Sequence, residues 1–148
     1  MVAKNAAATQ VSKKLLDQLN VAIAREVQVS VQYMWQHVQW SGVKGHAVMG
    51  TLQSIAVQEM KHAEAIAERL YYLGGIPTTK PAPIFVGSTL KEMIEQDIKD
   101  EAGAVTLYKD IIALANKEGD VTTAHLFREI LEEEEDHHDT FTTLAEEI

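Results

Sequence analysis

Glu59-Met60-Lys61-His62 and Glu134-Glu135-Asp136-His137 decide how the rest of this chain is read. Each stretch is a Glu-x-x-His. Residues three apart on a helix share a face, so each pair aims a carboxylate and an imidazole in one direction. A single pair means little, because both residue types are common on helices. Here each pair is preceded by a lone glutamate at the same distance: Glu26 lies 33 residues before Glu59 (59 − 26), and Glu101 lies 33 before Glu134 (134 − 101). The chain reads as one helical hairpin used twice, with matching side chains in matching places.

Working outward, each of these residues falls in a stripe of helical period. Leu15, Leu19, Ala22, Glu26, Tyr33 and Trp40 predict a first helix from about Ser12 to Trp40. The Gly42 and Gly45 region punctuates the chain. Leu52, Ile55, Glu59, His62, Ile66, Leu70 and Leu73 predict a second helix from about His46 to Leu73, stopped by Gly74-Gly75 and Pro77. The third begins at the capping-box pattern Thr89-Leu90-Lys91-Glu92 and runs to about Lys117, with Ile94, Ile98, Glu101, Val105, Tyr108 and Ile112 inward. Asp120 is a candidate N-cap for the fourth, whose inner face is Phe127, Ile130, Glu134, His137, Phe141 and Leu144. The segment Gly74 to Ser88 has 15 residues and three prolines, so it is no helix. Extended, it reaches about 50 Å, enough to run the length of a helix of roughly 42 Å. The third helix can therefore lie parallel to the second, and Ile84, Phe85 and Val86 are expected to pack the link down. The reading is all-α: an antiparallel four-helix bundle with a long crossover between the second and third helices. Residues 1–11 are read as a flexible tail and 12–148 as the bundle.

Composition narrows the function. A chain of 148 residues suits one domain with a real core. The absence of cysteine excludes disulfides, zinc ribbons, iron–sulfur clusters and thiol chemistry, and agrees with a reducing cytoplasm. The start, Met1 to Gln10, does not read as a signal peptide, and no apolar run is long enough for a membrane span. A net charge of −9 argues against nucleic-acid binding and fits attraction of cations, or simple solubility.

The chemistry follows from burial. Glu26, Glu59, Glu101 and Glu134 fall on core-facing positions of four helices. Buried carboxylates without partners are costly, and four together repel. Two divalent cations cancel their charge, and His62 and His137 complete a site of oxygen and imidazole donors suited to iron, manganese or zinc. Carboxylates bridging two ions hold them about 3.5–4 Å apart, and each metal can then give an electron to dioxygen or peroxide. The competing reading is a metal-free helical scaffold with these residues on the surface. Within the acidic run Glu132 to Asp136 only one or two residues can face inward. Glu134 is the one seven residues from both Phe127 and Phe141. Its neighbours read as a solvated face, or as a guide for cations.

Across nearly all of residues 12–147 the chain resembles the bacterioferritin branch of the ferritin-like di-iron superfamily. The resemblance is carried by Glu26 with Tyr33 seven residues later, by Glu59-Met60-Lys61-His62, by the Asp97 to Glu101 stretch, and by Ile130-Leu131-Glu132 through His137. It implies a ferritin-like bundle with two iron ions per subunit. Glu26, Glu59 and His62 would hold one, Glu101, Glu134 and His137 the other, with Glu59 and Glu134 bridging. It implies ferroxidase activity, the oxidation of Fe(II) by dioxygen or hydrogen peroxide, and storage of Fe(III) in an oligomeric shell. Tyr33, two turns from Glu26, would hydrogen-bond near the metals or supply an electron, unless it is a plain core aromatic.

Rubrerythrin-like relatives usually carry another glutamate three residues after the third-helix one; Ala104 stands here, which favours the bacterioferritin branch. A di-iron or dimanganese peroxide reductase without storage is the rival of the same fold. Bacterioferritins continue into a fifth helix, whereas this sequence stops at Ile148, so a shell of 12 subunits competes with one of 24. Ser54 and Gln58 replace an inner-surface His and Asp that the family often uses to move iron inward. Met60 matches the family's haem methionine, which binds haem b between two subunits; it also serves relatives without haem as a flexible packing residue. Met34, Trp35 and Trp40 widen the apolar face of the first helix and suggest a subunit interface. His37, His46, His125 and His138 have no partner at ligand spacing and read as structural or exposed.

Overall fold

The structure is a computed structural model and describes residues 10–148. It contains four helices: α1 (Lys13–Val38), α2 (Gly42–Tyr72), α3 (Leu90–Lys117) and α4 (Val121–Ala145). No strand occurs among the described residues. Residues 1–9 of the expected tail lie outside the described residues, and Val11 packs against the core.

The helix ends are written locally. Ser12 caps α1 by accepting from Leu15 N, and Thr89 and Glu92 form the reciprocal capping box of α3. Asp120 caps α4 through Thr123 N. α2 and α3 stop in the same way. Gly74 N and Gly75 N donate to Tyr71 O and Leu70 O, and Gly119 N and Asp120 N donate to Asn116 O and Ala115 O. Gly74 and Gly119 have φ of +94° and +80°, where a side chain would be strained.

Cross-helix hydrogen bonds give the directions. Gln36 reaches Asp97, Tyr33 reaches Glu101 and Tyr108 reaches Glu26, so α1 and α3 are antiparallel. Arg69 meets Asp120, His62 meets Glu134 and Gln58 meets His137, so α2 and α4 are antiparallel. With short turns inside each hairpin, α3 runs parallel to α2, as the crossover requires.

Two expectations need correction. α2 begins at Gly42, four residues before His46, and Gly45 lies inside the helix. A Cβ on Gly45 would stand 3.3 Å from Trp40 Cβ, so this glycine lets the turn pack against the helix instead of breaking it. Ile84 and Phe85 are not buried; Phe85 is 51% exposed. The link is held to α1 by polar contacts. Thr78 N donates to Asn20 Oδ1, Ala82 N to Ala24 O, Phe85 N to Gln32 Oε1, and Gln36 Nε2 to Val86 O.

The apolar core comes in two pieces. One packs Leu15, Leu19, Ile66, Leu70, Tyr108, Ile111, Phe127 and Ile130; the other packs Val29, Tyr33, Leu52, Ile55, Ile94 and Phe141. The inward-facing glutamates and histidines lie between them in sequence on every helix, so a polar layer divides the bundle.

Asp97 adds a second buried polar feature. Its Oδ1 accepts from Gln32 and Gln36, and its Oδ2 has no partner. Burial pushes its carboxyl up to about 8, against the two amide hydrogen bonds and helped by Asp100. A raised carboxyl binds its proton more tightly in the folded chain. Stability from this group is present below about pH 4 and is lost as pH rises towards about 8. Asp97→Asn is predicted to keep the Oδ1 acceptor and flatten the loss of stability of metal-free protein across that window. Urea unfolding at several pH values checks this; an unchanged pH slope would sink it.

Candidate metal centre

Each helix delivers its expected side chain to one place. Glu26, Glu59, Glu101 and Glu134 are fully buried, and His62 and His137 nearly so. Donor atoms of Glu26, Glu59, His62 and Glu134 lie within 4.8 Å of one another, and so do those of Glu59, Glu101, Glu134 and His137. The two groups share Glu59 and Glu134. Tyr33 donates to Glu101 Oε1 at 2.6 Å, and Tyr108 donates to Glu26 Oε1. Each tyrosine thus crosses to the other hairpin's lone glutamate. Their rings rest edge-on against Phe141 and Phe127, centroids 5.2 Å apart in both cases.

Both imidazoles point Nδ1 inward and are held from behind at Nε2. His62 Nε2 lies 2.9 Å from Glu133 Oε2, and His137 Nε2 lies 2.9 Å from Gln58 Oε1. Both partners can accept a hydrogen from Nε2, which leaves Nδ1 as the nitrogen that faces the carboxylates. The backing is unequal: a carboxylate behind one ring, an amide behind the other. Gln58, noted in the sequence only as a departure from the family's inner-surface Asp, orients His137.

The electrostatics are those of a cage short of positive charge. Burial raises Glu26, and the neighbouring Glu59 and Glu134 raise it further. Burial also raises Glu101, against the pull of Arg25. For Glu59, burial and Glu134 push upward, but Arg25 and the adjoining imidazoles of His137 and His62 win and bring it to about 2. Glu134 is lowered for the same reason. Burial disfavours charged imidazoles, yet contacts with Glu134 and Glu59 raise His62 to about 11 and His137 to about 9. Glu59 Oε1, Glu101 Oε2 and His137 Nδ1 are buried without a hydrogen-bond partner. Four carboxylates, two inward nitrogens and these orphaned donors fit a pair of divalent metals.

Arg25 was not expected here. Its guanidinium lies inside the cage, with Nη1 3.3 Å from Glu26 and Glu134 and 3.6 Å from Glu59, and Nη2 3.2 Å from Glu101. Nothing in the spacing marks it, since it stands one residue, or about 100°, off the inward stripe. Tyr108 had a signal, because it follows Glu101 by seven residues as Tyr33 follows Glu26. Glu133 was read as part of a solvated face; it is exposed yet reaches His62. With Glu129, Glu132 and Asp136 it lines an acidic depression of about 760 Å³ outside the site.

Met60 lies away from the cage. It is 48% exposed, beside a groove of about 400 Å³ lined also by Val31, Met34, Trp35 and Val57. Trp40 stacks edge-on with His46. His37 contacts Met49 O, and His125 pairs with Glu129 at the surface. Among the described residues no helix is long and apolar enough to cross a membrane.

The ferritin-like domain family matches residues 16–148. A bacterioferritin of Desulfovibrio desulfuricans is 33% identical over 136 residues, covering 91% of this chain and 76% of that protein. One from Brucella melitensis is 30% identical over 132 residues, covering 88% and 81%. The X-ray structure of the Desulfovibrio desulfuricans bacterioferritin, whose di-iron site was captured in different catalytic states, matches with a TM-score of 0.84 at 32% identity. It covers 90% of this chain and 78% of that one.

Proposed function

The chain belongs to the bacterioferritin branch of the ferritin-like family, and we propose that Glu26, Glu59, His62, Glu101, Glu134 and His137 hold its two iron ions. The protein is a ferroxidase that oxidises Fe(II) and stores the Fe(III) product. The observation that carries the assignment is the pair of overlapping donor groups sharing Glu59 and Glu134. Glu26 and His62 would then serve one ion and Glu101 and His137 the other, with Glu59 and Glu134 within reach of both. When bound, the iron pair supplies two electrons, one from each Fe(II), to dioxygen or hydrogen peroxide.

The chain's own residues do the rest. Tyr33 and Tyr108 hold Glu101 and Glu26 by their hydroxyls and leave the second oxygen of each carboxylate turned to the centre. Glu133 and Gln58 fix the imidazoles with Nδ1 inward. The two apolar clusters flank the layer and keep bulk water from it. Manganese or zinc fits the same donors.

The finer reading is a homo-oligomeric shell of 12 or 24 subunits in the cytoplasm, with haem b between paired subunits and Met60 as its axial ligand. The half-exposed Met60 and Trp35 beside one apolar groove support an occupant shared by two copies. Native mass spectrometry of the iron-loaded full chain tests the assembly together with its metal content. A shell carrying far more than two irons per chain is expected. A dimer with only two metals per chain would favour a peroxide reductase without storage. Visible absorption before and after Met60→Leu tests the haem.

A further inference from the structure

Arg25 is a buried cation at the place two other cations are to occupy. Its Nη1 contacts Glu26 Oε2 and Glu134 Oε2 at 3.3 Å and Glu59 Oε1 at 3.6 Å, and its Nη2 contacts Glu101 Oε2 at 3.2 Å. One guanidinium therefore touches all four carboxylates. Both donor groups depend on those carboxylates. A divalent ion sits roughly 2.0–2.2 Å from a carboxylate oxygen. An ion held by the oxygens that surround Nη1 would lie against that nitrogen with nothing between them. Charge gives the same result. Four carboxylates balance two divalent ions, so a guanidinium left among them would be an uncompensated buried charge.

Arg25 is also held loosely for so buried a group. Its contacts of 3.2–3.6 Å are longer than the roughly 2.7–2.9 Å of a strong charge-assisted bond. Its Nε has no partner. Its side chain is 10% exposed, so it enters from the edge of the bundle, where Asp100 O accepts from Nη2 at 3.3 Å. Departure would take the stem outward past Asp100.

We propose that Arg25 is a displaceable internal cation, which stands in for divalent metal among Glu26, Glu59, Glu101 and Glu134 and must leave the cage before two ions can load. This rests on the six-residue site proposed above. It makes the arginine a determinant of metal affinity: every ion that binds does so against a competitor built into the chain. It also explains how four buried carboxylates coexist in metal-free protein.

The test uses the full chain and Mn(II), which reports binding without iron oxidation. Calorimetric titration and unfolding temperature are measured for wild type, Arg25→Met and Arg25→Gln. Both variants are expected to be less stable than wild type when metal-free. They are expected to bind two Mn(II) per chain at least about 10-fold more tightly, within the usual range of coupling between competing ligands. A merely structural arginine would weaken the free and loaded forms alike and leave affinity unchanged or lower, which overturns the proposal. If wild type binds two ions and the variants bind no better, the displacement idea alone fails. If folded wild type and variants bind none, the site assignment fails with it. Should neither variant fold, wild-type stopped-flow decides: the binding rate is expected to level off with Mn(II), limited by departure of the side chain. A rate rising linearly overturns it.

Discussion

Glu59→Ala is expected to lower the rate of Fe(II) oxidation by about 100-fold or more, equivalent to roughly 2.7 kcal/mol of lost transition-state stabilisation. Glu59 is one of two residues common to both donor groups, so its loss strips an oxygen ligand from each ion at once. It also frees His137 Nδ1 and His62 Nδ1, which lie 3.3 and 3.0 Å from its carboxylate. Loss of Glu26 or Glu101 removes a ligand from one ion only and should cost less. The matched control is Glu135→Ala, from the same acidic run as Glu134 but exposed; it should stay within about twofold of wild type. The measurement is oxygen consumption with Fe(II) in limiting amount, read beside the number of metals bound per chain. A Glu59→Ala protein that oxidises iron within about threefold of wild type would falsify the shared-carboxylate assignment.

The second large effect is in pH. In metal-free protein His62 and His137 hold their protons up to about 11 and 9, because carboxylates surround them. A metal needs both rings neutral, so loading two ions is predicted to release two protons from the imidazoles, and more from Glu26 and Glu101. The two imidazole protons alone should make the overall loading constant rise about 100-fold per pH unit from roughly pH 6.5 to 9, and any proton given up by Glu26 or Glu101 steepens that rise. Stability moves the opposite way without metal. A histidine raised on folding stabilises fully below its unfolded value, and that contribution fades as pH climbs through the folded value. Chelated protein should therefore lose stability between about pH 6.5 and about 11, while loaded protein should not. Anaerobic titrations in buffers of different ionisation enthalpy count the protons. Loading that releases none, or tightens as pH falls, would contradict the ionisation described here.

Much of the architecture was legible because it repeats. Glu26 and Glu101, the two Glu-x-x-His pairs and the aromatic residues seven apart all fall on stripes of period 3.6, and the stripes become the inward faces of α1 to α4. The crossover followed from 15 residues that could neither form a helix nor make a short turn. The mode of anchoring was not legible. Ile84 and Phe85 suggested burial, whereas the link is fixed by Asn20, Gln32 and Gln36, polar residues that no spacing or motif marks. Gly45 misled for a related reason. A glycine marks a turn or a close approach equally well, and only the position of Trp40 distinguishes them.

The amino-acid order alone determined which residues share a helix face, where each helix stops, and that four carboxylates and two imidazoles turn inward. These follow from spacing along one strand of chain, governed by helix geometry and local capping. Tertiary structure decided which groups from different helices meet. It brought Arg25 in among the carboxylates, sent Tyr33 and Tyr108 each to the opposite hairpin's glutamate, and set Glu133 and Gln58 behind the imidazoles. The physical reason is reach. An arginine or glutamate side chain can turn through a wide angle from its Cα, so its destination depends on where neighbouring helices place charge, and periodicity carries no record of that.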